Sequence, residues 1–184
     1  MVIKKNYEDL IKNYQGGDLN LSGCNMKTLQ IDHVSGNLNI SKSKIGTLTI
    51  GWVSNELNMA GAEIKTITNP IDAESVIMTG ATIKKLPAHV YTNYFDISKS
   101  SITKLNTDVK CNILNIKNSK IETWPKELKV KRLVVDSKTA KNLPLSTLMN
   151  CEAVEFDGTV FSSVTMNNFE FCSVNSEETS CCGV

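Results

Sequence analysis

The chain writes the same line every nineteen residues. LNLSGCNMKTL starts at Leu19, LNISKSKIGTL at Leu38 and LNMAGAEIKTI at Leu57. With Leu19 as position 0, steps of 19 reach Leu38, Leu57, Val76, Phe95, Leu114 and Leu133. Position +2 holds Leu21, Ile40, Met59, Met78, Ile97, Ile116 and Val135. Position +7 holds Met26, Ile45, Ile64, Ile83, Ile102, Ile121 and Ala140, and +10 holds Leu29, Leu48, Ile67, Leu86, Leu105, Trp124 and Leu143. An eighth copy follows after a step of 21, with Val154, Phe156, Phe161 and Val164. Apolar columns kept through successive copies mark a repeat architecture.

Each copy has a physical reading. An apolar-x-apolar pair has period two and makes a short strand with one buried face. The small polar residues that follow suit a turn. Position +5 is mostly small (Cys24, Ser43, Ala62, Ala81, Ser100, Ser119), with Lys138 the exception in the seventh copy. It fits a place where the chain bends under its neighbour. The apolar residues at +7 and +10 bring the return segment back onto the core. One unit cannot bury its apolar side alone, but stacked units share a continuous core. The expected fold is a β-rich repeat solenoid, with a parallel sheet of about eight short strands spaced about 4.8 Å apart.

The line LNIKNSKIETWP (Leu114 to Pro125) resembles a leucine-rich repeat, and GDLNLSGCNMKTL (Gly17 to Leu29) is similar to the short bacterial and bacteriophage form. The chain lacks the family's asparagine at +5, and only Pro87, Pro125 and Pro144 keep its proline. The resemblance implies a protein-binding scaffold that inhibits or modulates a cellular protein, as an anti-defence protein or effector. A different parallel β-solenoid is the alternative; a spacing of 19 is not a multiple of five and disfavours pentapeptide repeats.

Three regions follow. Residues 1–17 form an N-terminal capping helix: Tyr7, Leu10, Ile11 and Tyr14 lie at i, i+3, i+4 and i+7, with Asn6 as N-cap and Gly16–Gly17 as stop. Residues 18–165 hold eight repeats, and residues 166–184 a C-terminal cap and flexible tail without apolar period. The start of the chain lacks the apolar core of a signal peptide, and no apolar run reaches the length of a membrane span. A cytoplasmic protein is expected, its six cysteines free thiols.

Catalytic chemistry is sparse. The two histidines, His33 and His89, fall in return segments of copies one and four. No P-loop, dinucleotide motif or HExxH occurs. The expectation is a non-enzymatic protein without cofactor. Cys151, Cys172, Cys181 and Cys182 are weighed as a four-thiolate zinc site, but no C-x-x-C spacing supports it, so no metal is expected. The ending CCGV makes Cys181 and Cys182 candidates for lipidation, the one route to a membrane.

Two surface rows can carry binding. Net charge is +1, which does not favour nucleic acid overall. The outward rows at −1 and +1 are polar in the first three copies and turn apolar in copies four to seven. There Ile77, Tyr94, Asp96, Ile113, Asn115, Arg132 and Val134 form the candidate partner-binding surface. Lys27, Lys65, Lys84, Lys85, Lys104 and Lys141 line one edge, the alternative site for nucleic acid or an acidic partner. A structural or self-assembling solenoid is the third reading.

Overall fold

A computed structural model describes residues 6–105, 108–125, 128–149 and 151–162. The chain is a β-solenoid of about seven turns. Helix α1 (Tyr7–Lys12) leads into β1 (Leu19–Asn20), β2 (Asn25–Val34), β3 (Leu38–Asn39), β4 (Lys44–Asn58), β5 (Glu63–Ile67) and β6 (Ile71–Ile77). Then come β7 (Thr82–Lys85), β8 (His89–Tyr91), β9 (Tyr94–Asp96), β10 (Asp108–Asn115) and β11 (Lys129–Val135). Helices α2 (Ser137–Ala140) and α3 (Leu145–Met149), then β12 (Ala153–Phe156) and β13 (Thr159–Ser162), complete the described elements.

The nineteen-residue step is the strand register. Leu19 pairs with Leu38 and Leu38 with Leu57, both in parallel. Val76 pairs with Phe95, Phe95 with Leu114, and Leu114 with Leu133. Pairing goes beyond one strand per copy. The return segments pair too: Ile31 with Ile50, Ile45 with Ile64 and Ile64 with Ile83. Identical coils placed one above another satisfy their backbone groups by the same ladder wherever the chain is extended, return segment included.

Positions 0 and +2 are buried throughout the first six copies, as are Ile45, Ile64, Ile83, Ile102 and Ile121 at +7. They form one continuous core. Tyr7, Ile11 and Tyr14 of the first helical segment pack on its end, and the Tyr7 hydroxyl donates to the Ser22 carbonyl at 2.9 Å. Leu10, placed on the same stripe by spacing, is exposed, because a six-residue helix is too short to hold a four-residue stripe against the coil. The Asn6 cap is present: its side chain accepts from the Asp9 amide.

One column has conformation as its common property. Position +4 holds Gly23, Lys42, Gly61, Gly80, Lys99 and Asn118, all with φ between 55° and 74°. Five of the six, Lys42 apart, sit in a β-turn closed by the +5 amide on the +2 carbonyl, as in Ala62 to Met59 and Ala81 to Met78. A left-handed third residue is what a type II turn requires. In the seventh copy Asp136 ends this run. It caps α2 by accepting from the Thr139 amide at 2.9 Å. The expected inward position Lys138 is therefore exposed and Thr139 is buried instead. The two short helices take up the longer spacing to the last copy, where Leu133 pairs with Val154. The chain then reverses: Asp157 and Gly158, with φ of 47° and 90°, make a turn that lays β13 antiparallel on β12.

Residues 163–184 lie outside the described residues, and with them the last three repeat positions, the C-terminal cap and the tail. The core register predicts that Ile83→Ala costs about 2–5 kcal/mol in urea unfolding. The turn column predicts opposite signs at equivalent places. Gly61→Ala should cost about 1 kcal/mol, and Lys99→Gly should add up to about 1 kcal/mol, in the same measurement.

Candidate functional site

The +1 row is a turn-building row. Asn20, Asn39 and Asn58 accept through Oδ1 from the amides of Ser22, Ser41 and Ala60 at 3.0–3.1 Å. Asp96 and Asn115 do the same for Ser98 and Lys117, at 2.8 and 3.2 Å. A short carboxyl or carboxamide bonding two residues ahead is an Asx turn. It leads the chain into the left-handed column. This explains why asparagine recurs, a role that strand parity alone cannot reveal.

The two nominated residues of this type are thus structural in part. Asp96 also accepts from the Tyr94 hydroxyl at 3.4 Å and from Asn115 Nδ2 at 3.2 Å. Burial pushes the Tyr94 phenol above its ordinary pKa; contact with Asn115 works against this, and the Asp96 carboxylate adds to the rise.

The remaining nominated residues come together. In the −1 row Ser75 pairs with Tyr94, Tyr94 with Ile113 and Ile113 with Arg132. In the +1 row Ile77 pairs with Asp96, Asn115 with Val134, and Val134 with Glu155. Ile77, Tyr94 and Ile113 are half-buried, and Arg132 is exposed. Val134 faces outward but is only 7% exposed. It sits between Asn115 and Glu155 in register, with Lys117 and Arg132 converging on Glu155 at 3.8 and 3.9 Å. Two cations share one carboxylate at this end of the face.

The lysine edge occupies a corner, and all six lysines are exposed. It is not continuous. Gly46 stands between Lys27 and Lys65 in the repeat, and Glu122 and Thr123 separate Lys104 from Lys141. Lys84, Lys85 and Lys104 line a groove of about 800 Å³ with Thr66 and Pro87. Lys44, outside this run, pairs with Glu63 at 3.2 Å.

Cys24, Cys111 and Cys151 are buried free thiols. Burial and the nearness of Cys151 push the Cys111 thiol up to about 12, and burial pushes Cys151 up to about 11. The Cys151 thiol donates to the Thr147 carbonyl at 3.3 Å. Cys172, Cys181 and Cys182, and with them the weighed zinc and lipid sites, lie outside the described residues. Among the described residues no three His, Cys, Asp or Glu side chains converge as a metal site would need, and no helix is long and apolar enough to cross a membrane. The histidines stack on aromatic rings: His33 on Trp52 at 5.3 Å and His89 on Tyr91 at 5.8 Å. Trp52 and Tyr91, both exposed, are surface residues that the repeat columns did not single out.

No protein-family model, no curated protein and no solved structure matches the chain. The stacked parallel strands at a spacing of about nineteen residues establish a repeat solenoid.

The thiols give a pH prediction. In the unfolded chain they ionise near 9, while in the fold Cys111 and Cys151 stay neutral to about 12 and 11. Their burial contributes stability that is whole below pH 9 and drains away as the unfolded thiols ionise. Melting temperature should fall between neutral pH and about pH 11, and the fall should be shallower in Cys111→Ala/Cys151→Ala.

Proposed function

We propose that this solenoid is a non-enzymatic binder of another protein, working through the outward sheet face at Ile77, Tyr94, Ile113 and Arg132. The reading keeps the resemblance to short bacterial and bacteriophage leucine-rich repeats, and with it the role of a cytoplasmic inhibitor or modulator of a cellular protein. One observation supports it most. The register places three half-buried apolar side chains in neighbouring coils next to an exposed arginine. Exposed aromatic and arginine anchors inside a polar surround are the residues that most often dominate interface energy. The partner that fits presents an apolar centre and a carboxylate, because among the described residues Arg132 and Lys117 share the one carboxylate of Glu155.

The lysine corner supports a second reading, an acidic or nucleic-acid partner at Lys84, Lys85 and Lys104. Salt separates the two. Binding at the corner weakens steeply with ionic strength, whereas the apolar face responds little.

Bait experiments in the native host test the choice. Wild-type bait should retain a protein that mass spectrometry identifies, and Tyr94→Ala/Arg132→Ala should lose it while melting like wild type. The two anchors contribute about 2 kcal/mol or more each, so their joint loss abolishes capture. Retention by that pair, together with loss by Lys65→Ala/Lys84→Ala/Lys85→Ala, would move the site to the corner.

A further inference from the structure

A second outward face, adjoining the first, carries a groove of about 920 Å³. It runs along the solenoid axis, across the strands. One row of it is in register from coil to coil: Asp72 pairs with Tyr91, Tyr91 with Lys110, and Lys110 with Lys129. Trp52 heads the row, one residue before the paired Val53 and Ala73.

Trp52 is 49% exposed and Tyr91 40%. A single exposed aromatic needs no explanation. Two in one row of one groove, each stacked on a histidine, do need one. His33 pairs with Trp52 in the sheet and stacks on its indole with the rings 20° apart. His89 stacks on the Tyr91 ring at 8°, and the Asp108 carboxylate holds His89 Nδ1 at 3.3 Å. Both histidines of the protein thus fix the attitude of an aromatic ring that faces solvent. The two rings are two coils apart, about 10 Å along the groove.

Polar groups flank them. Glu74, Asn93 and Asn112 follow along the parallel row. Asn112 Nδ2 donates to Asn93 Oδ1 at 3.1 Å, which among the described residues leaves the Asn93 side-chain NH2 and the Asn112 side-chain oxygen facing a ligand. Acids and lysines balance in the groove, with Asp72, Glu74 and Glu152 against Lys110, Lys129 and Lys131. The acids Asp72 and Glu74 come between the two aromatic coils, where they oppose a polyphosphate chain.

We propose that this groove binds an extended saccharide chain. Pyranose rings offer flat C–H faces to the Trp52 and Tyr91 rings, and their hydroxyls hydrogen-bond both carboxylates and carboxamides. A few placed polar groups around rigid aromatics are the usual make-up of a small-molecule site. The chain lies along the axis, so successive sugars meet successive coils. At the far end Lys110 and Lys131 donate to a carboxylate on a uronic sugar. This site is separate from the protein-binding face and stands or falls without it.

The test uses the full chain on an array of neutral and acidic oligosaccharides, followed by isothermal titration calorimetry of each variant with the best binder and, for wild type, tryptophan fluorescence titration. Binding should quench Trp52. Trp52→Ala and Tyr91→Ala should each weaken it about tenfold or more with melting temperature unchanged, and Trp52→Phe should restore part of it. No binder on the array overturns the proposal, as does equal affinity in the alanine variants. Tighter binding of an oligothymidylate with steep salt dependence overturns it in favour of single-stranded nucleic acid.

Discussion

Everything in this molecule depends on one coil lying in register on the next. The backbone amides and carbonyls of each turn are satisfied by its neighbours, so a residue's environment is set by the residues nineteen before and nineteen after it. Leu57 is buried because Leu38 and Val76 are leucine and valine above and below it. The same dependence makes surfaces. Outward side chains stack in rows about 4.8 Å apart, and a row acquires a character only when several coils agree. Agreement is loose on the sheet face, where asparagines that build turns alternate with apolar residues.

The apolar columns were legible because burial demands one chemistry, and nineteen-residue counting exposes it directly. The left-handed column was not. Gly61, Lys99 and Asn118 share a backbone angle and no side-chain chemistry, so composition hides what geometry unites. The +1 asparagines were legible as outward and illegible as turn builders, since parity gives direction and not hydrogen bonds. Lys138 fell in the small-residue column only because the count passed unbroken into a copy that Asp136 turns helical.

The aromatic row escaped counting for a specific reason. Val53 pairs with Ala73, twenty residues on, before the step returns to nineteen at Glu56 and Ser75. Trp52 and Tyr91 therefore fall in different columns of a strict nineteen-residue alignment, although the fold puts them in one row. A single irregularity in the ladder moved the most exposed aromatics out of phase. Shortening the stretch between this row and position 0 by one residue from the fourth copy onward recovers them. The patch at Ile77, Tyr94, Ile113 and Arg132 stayed visible because it lies where the step is constant.

The reversal at Asp157–Gly158 also changes the edge that β12 presents. A stack of parallel coils has no intrinsic length, and its final strand is a template on which another chain could continue. Here β13 folds back and occupies that edge of β12 in the opposite sense. Among the described residues, β13 is a short strand out of step with the parallel coils, and at the other end Tyr7 and Ile11 pack on the core. Among the described residues, the parallel ladder that begins at β1 closes against a strand of the opposite sense, so the side of β12 that would template another parallel coil is already taken.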